Sequence, residues 1–237
     1  MMILSSMKKT EAIKHQCEFC DTEFVRESSF LKHICKYKHR WIEKDKQGNR
    51  IGFQAWLQFY SKTSMSSSKN RTYIEFIKSS YYTAFVKFGT YCSEINAINI
   101  SMFVEWLLKH QIKLDTWCKD TVYDKYLIEH LRTEDPYDAI TRSVEYTMVK
   151  AEEEGILSKD YLRYGNKNKI CYAITTGKIS PWMLYQSNSG VQFLDTLNPE
   201  HVTMIISYIN PEQWAIKFKR DPEIAKQIKE ILNAGGY

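Results

Sequence analysis

Three cysteines and three histidines crowd into one short stretch, residues 15–39, which reads HQCEFCDTEFVRESSFLKHICKYKH. Thiolate sulfur and imidazole nitrogen are the donors zinc prefers, four at a time in a tetrahedron. Cys17 and Cys20 are two residues apart, so a tight turn lets both sulfurs face one ion. The chain from Cys20 to His33 has room to finish a hairpin, turn and start a helix, from which His33 and His39 reach back. The spacing predicts one zinc ion held by Cys17, Cys20, His33 and His39. Cys35 and His39 also share a helix face, so Cys17, Cys20, Cys35 and His39 make an alternative three-sulfur site. A step of six residues from His33 to His39 turns an ideal helix by about 600°. The two imidazoles then face apart unless the last turn unwinds or tightens. A module of about 25 residues has too small a core to fold unaided. Metal binding would supply its folding free energy.

The segment resembles a C2H2 zinc finger, over about 26 of the 237 residues. Phe24 and Phe30 occupy the family's inner apolar positions, Phe30 where leucine is usual. The long gap between His33 and His39 is similar to that of the matrin and U1-type fingers, whose members often bind double-stranded RNA or DNA. The resemblance implies a ββα fold and packing of both phenylalanines under the metal. It also aligns Arg26, Ser29 and Lys32 with the base-reading positions of the helix. Arginine can grip guanine through two hydrogen bonds, and lysine can also reach it. Lys36, Lys38 and Arg40 continue past His33 and suit phosphates. A single finger covers about 3 bp, so it cannot select a unique site alone.

The elements that must carry this cluster read as helices. Each proline follows a short polar residue: Asp135-Pro136, Ser180-Pro181, Asn198-Pro199, Asn210-Pro211 and Asp221-Pro222. The polar side chain accepts from free first-turn amides, and proline has no amide to leave unpaired. Apolar residues recur at helical steps in 73–88, 102–107, 140–151, 202–209 and 224–232. The first of these, from Tyr73 to Phe88, reads as one long helix. Only Lys169–Thr175 alternates loosely enough to suggest a short strand. The expected fold is mostly α: an N-terminal ββα zinc finger followed by an irregular multi-helix domain. Residues 1–60 would form the finger module with its basic flank and 71–237 the all-helical domain. Residues 61–70, rich in serine, read as the linker or loop between them.

Charge follows the same division. Residues 1–90 hold 16 Lys and Arg against 8 Asp and Glu, whereas 91–237 hold 17 against 20. A basic front part suits an anionic partner, DNA or RNA. Cys92, Cys118 and Cys171 stand apart and read as small buried apolar residues. The abundance of Lys, Ile, Asn and Tyr fits an AT-rich genome, such as that of a virus. The chain shows no membrane-length apolar run and no signal-like start. The expectation is therefore a soluble intracellular protein, cytoplasmic or nuclear. No phosphate loop, dinucleotide fingerprint, zincin or nucleophile-elbow motif is present, so the chain does not read as an enzyme. Two readings follow. One is a zinc-binding accessory or regulatory protein whose finger and basic N-terminal region contact DNA or RNA, the helical domain recruiting a protein partner. The other is an assembly or interaction protein in which the finger is only a structural or docking module.

Overall fold

The computed structural model describes residues 15–63 and 71–237. The serine-rich segment thus lies largely outside the described residues. The chain divides into two compact units, one ending at Ser93 and the other running from Glu94 to Tyr237. Residues 71–93 group with the first unit rather than with the helical remainder.

The first unit opens with a minimal hairpin, β1 (His15–Gln16) antiparallel to β2 (Glu23–Phe24), with His15 opposite Phe24. Two short helices follow, α1 (Glu27–Lys32) and α2 (Lys36–Ile42), then the longer α3 (Gln47–Thr63). The stretch expected as one long helix is two, α4 (Tyr73–Lys78) and α5 (Tyr82–Glu94). Ser79 breaks it: its backbone is extended, and its hydroxyl accepts the amide of Tyr81 at 3.1 Å. Serine side chains offer the backbone such an alternative to helix. Thr72 and Glu75 close a reciprocal capping box at the start of α4. Backbone contact joins α3 to α5. A Cβ on Gly89 would collide with the carbonyl of Gly48, and one on Gly52 with the carbonyl of Phe85. Phe76, Ile77, Phe85 and Phe88 are buried in the resulting core.

The second unit is entirely helical among the described residues. Its helices are α6 (Ile100–Lys109), α7 (Asp120–Thr133), α8 (Pro136–Glu154), α9 (Tyr161–Tyr164), α10 (Lys167–Thr175), α11 (Pro181–Gln186), α12 (Asn188–Asp195), α13 (Pro199–Ile209), α14 (Pro211–Arg220) and α15 (Pro222–Ala234). Two 3-10 turns intervene. All the proline pairs start helices as expected. Asp135, Ser180, Asn198 and Asn210 cap through their side chains. Asp221 instead turns its carboxylate to Arg220. The segment expected as a strand, Lys169–Thr175, lies in α10. Asn166 caps that helix through the amide of Lys169, and Ile170, Cys171, Ala173 and Ile174 are buried. Alternation over so short a run did not distinguish a strand from a buried helix. Of the isolated cysteines, Cys92 and Cys171 are buried and Cys118 is half-buried. No helix among the described residues is long and apolar enough to cross a membrane.

Glu134, buried between α7 and α8, is the polar hub of this unit. Its Oε1 accepts from Ser180 Oγ at 3.0 Å, and its Oε2 lies 2.7 Å from Arg142 Nη1. Arg142 also donates from Nε to the carbonyl of Gly177 at 2.8 Å. His130 stacks on Tyr126 and stands 3.7 Å from Glu134 Oε2. Burial holds the imidazole below its ordinary pKa, outweighing the pull of Glu134, and Arg142 adds to the lowering. The unfolded chain therefore takes up this proton at a higher pH than the folded chain. Stability should fall as pH drops through the ordinary histidine value of about 6.5. The slope from this one group is at most about 1.4 kcal/mol per pH unit. Thermal unfolding at pH 7.5 and 5.5, with and without His130→Gln, checks it: the variant should lose less stability on acidification than the wild type.

Candidate metal centre

The hairpin brings the first two potential donors, Cys17 and Cys20, together by backbone geometry. Cys17 donates its amide to the carbonyl of Thr22 at 3.0 Å, and Asp21 donates back to Cys17 at 2.8 Å. Asp21 takes a left-handed φ of 60°, which turns the chain tightly behind Cys20. Short polar residues tolerate this conformation better than branched ones. Phe19, between the cysteines, is buried.

The third and fourth potential donors come from an extended step. Helix α1 stops at Lys32, and His33 follows with φ −71° and ψ 119°. Cys35, two residues on, is also extended, with φ −79° and ψ 167°. In extended chain, side chains two apart point to the same side. His33 and Cys35 therefore face the hairpin cysteines together. Donor atoms of Cys17, Cys20, His33 and Cys35 all lie within 4.8 Å of one another. Cys20 Sγ stands 3.2 Å from His33 Nε2. A tetrahedral zinc ion with bonds of about 2.0–2.3 Å spaces its donors about 3.5–3.8 Å apart, so the cluster needs only small adjustments to close on one.

His39, expected from spacing as a ligand, lies outside the cluster. It lies on α2, its side chain is 63% exposed, and its Nδ1 sits 3.6 Å from Glu43 Oε2. The helix does not run on from α1, so the mismatch of a six-residue helical step is never met by unwinding. The chain leaves the helix before His33 and supplies Cys35 instead. The cluster differs from the three-sulfur alternative too: Cys35 stands with His33, and His39 is outside it. The alternation of His33 and Cys35 was the sequence signal for this arrangement.

The surroundings suit thiolate ligands. The Thr22 hydroxyl and amide, with a smaller contribution from His33, bring the Cys20 thiol down to about 6. Burial pushes the Cys35 thiol up, against the amide of Lys38, which donates to its sulfur at 3.3 Å. Phe24 packs on the His33 ring at 4.7 Å and on Phe30 at 6.1 Å, as expected of the inner apolar pair.

The expected nucleic-acid residues separate into two groups. Arg26, at the N-cap of α1, is exposed, as are Ser29 and Lys32 on that helix and Lys36 at the start of α2. Lys38 and Arg40 are half-buried. Lys38 Nζ donates to the carbonyl of His33 at 3.2 Å. Arg40 donates to the carbonyl of Ile77 and lies 4.0 Å over the Tyr82 ring. Its guanidinium is thus engaged within the first unit.

No protein-family model matches the chain, and neither a curated protein nor a solved structure does. The metal-binding reading accordingly stands on the cluster itself: three thiols and an imidazole beside a two-stranded sheet and short helices, a zinc-finger-like site.

Elemental analysis of the purified full chain should find one zinc per molecule. Cys35→Ser should lower zinc affinity by at least tenfold in competition with a chromophoric chelator, whereas His39→Ala should stay within about twofold. The opposite ranking would restore the ligand set expected from spacing.

Proposed function

We propose that this protein is a zinc-binding accessory or regulatory protein that contacts DNA or RNA through its finger. The observation that carries the reading is the exposure of three cationic side chains, Arg26, Lys32 and Lys36, on the elements that flank His33 and Cys35. A metal that fixes this short module would also fix these charges in space. Phosphate contacts supply most of the non-specific affinity of such proteins. The excess of Lys and Arg over residues 1–90 adds to the same field. Lys38 and Arg40 are left out of the contact set because their charges are engaged within the unit. Helix α1 has six residues and ends before His33, so the contact surface is short. Backbone contact with modest base preference fits it better than the reading of a long site. The helical second unit, with its balance of acidic over basic residues, would serve a protein partner instead.

A docking module is the second reading, and one observation favours it. Val25, Leu31 and Ile34 of the finger are 72%, 67% and 63% exposed. Aliphatic groups held in water suit an apolar partner more than phosphate.

Salt dependence separates the two. Binding to duplex DNA, duplex RNA and their single strands should weaken steeply with salt. On duplex DNA, log K should lose about 0.9 of its slope against log salt for each phosphate contact removed. Lys32→Ala and Lys36→Ala should each remove about one contact and leave zinc content unchanged. Affinity indifferent to both substitutions and to salt, on every nucleic acid tried, would transfer the function to the docking reading.

A further inference from the structure

Helix α2 carries the argument. It has seven residues and buries none of them fully. Isolated helices shorter than about 12–15 residues are marginal in water. Its persistence therefore depends on what holds its two ends. At the N-terminal end stands Cys35, which is both a member of the metal cluster and the helix cap, its sulfur accepting the amide of Lys38. At the C-terminal end, Arg40 lies over Tyr82 and donates to the carbonyl of Ile77 at the end of α4. Trp41 is in ring contact on both sides. It lies 5.8 Å from Phe19, between the two hairpin cysteines, and 5.8 Å from Tyr73, the first residue of α4. Tyr73 continues to Phe53 of α3 at 5.0 Å. Packed side chains and one charge-assisted hydrogen bond thus run unbroken from the metal ligands to the helices of the first unit.

We propose that the metal centre and helices α2–α5 form one cooperative unit, in which metal occupancy docks α2 and docked α2 strengthens the metal site. The inference rests on the zinc reading of the cluster and extends it beyond the finger. Coupling of this kind is reciprocal: if metal favours docking by some factor, docking favours metal by the same factor. Arg40 is then a positioning residue for a metal it does not touch. Loss of the metal releases Cys35, frees the first turn of α2 and bares Trp41 and the face of α4 it covers. Metal supply would thereby control the exposure of an aromatic surface as well as the order of the finger.

Hydrogen exchange of the full chain, zinc-loaded and chelated, tests the docking half. Protection should fall in 36–42 and 73–78 together with 15–35, while α7 and α8 of the second unit keep theirs. Zinc affinity by chelator competition tests the other half. Arg40→Ala should bind zinc roughly tenfold more weakly, within the 5–150-fold span usual for such coupling. Arg40→Lys, which keeps a cation near Tyr82, should recover part of the loss. Phe19→Ala trims the same contact from the hairpin side, should act in the same direction, and serves if Arg40→Ala fails to fold. Exchange changes confined to 15–35, or zinc affinity within twofold of wild type in Arg40→Ala and Phe19→Ala, would overturn the coupling while leaving the zinc reading intact. A chain that binds no zinc would remove both.

Discussion

The extended step from His33 to Cys35 is the constraint on which the first unit depends. It ends α1, places two donors on the side of the hairpin, and sets the phase at which α2 begins. Had the helix continued, His33 and His39 would have diverged around its axis. Because it stops, Cys35 serves as cluster donor and helix cap together, and the next helix leaves the site in a fixed direction. That direction carries Arg40 to Tyr82 and Trp41 to Tyr73. The finger is consequently not a free bead on a linker. Its hairpin residue Phe19 and its last helix share aromatic packing with α4.

The fate of the basic residues illustrates how context decides what a charge is for. Lys32 and Lys36 face water and are available to an anion. Arg40, a few residues on, has its planar guanidinium over an aromatic face and its hydrogen bond on a backbone carbonyl, a role lysine fills poorly. Lys217 in the second unit is a parallel case. Its ammonium lies near Trp182 and Trp214 and donates to the carbonyl of Arg132 at 2.6 Å. Burial there pulls its pKa down. Cations of this sort anchor packing and are lost to ligand binding.

In the second unit, one buried carboxylate does for the helices what the ligand cluster does for the finger. Glu134 ties the junction of α7 and α8 to the start of α11 through Ser180, and Arg142 ties it to the turn at Gly177. A buried charge is costly unless it is paired, and here Arg142 and the Ser180 hydroxyl both donate to Oε1, while Oε2 rests on its ion pair with Arg142. Ser180 is shared between this hub and the cap of α11, so capping and ion pairing are locked to one another.

Local chemistry was legible in the sequence, and relations between distant residues were not. The polar-proline pairs marked helix starts because capping acts within four residues. The cysteine pair marked a candidate metal-binding turn because two sulfurs two residues apart on a tight turn can face one ion. The ββα start and the helical remainder followed from the same short-range rules. The path between the third and fourth ligands escaped them: both histidines lie within reach in sequence, but only backbone that is extended at His33 shows that Cys35 arrives first. The break at Ser79, where the hydroxyl takes the amide of Tyr81, was hidden by the continuous apolar stripe on either side of it. The close crossing of α3 and α5 gave no notice in the sequence: Gly48, Gly52 and Gly89 became partners only in the fold. His130, Glu134 and Arg142 gave no sign of being one network, and Arg40 none of facing inward. Sequence fixes what each side chain can do; which groups meet, and so which charges stay free, depends on closure of the chain over long separations.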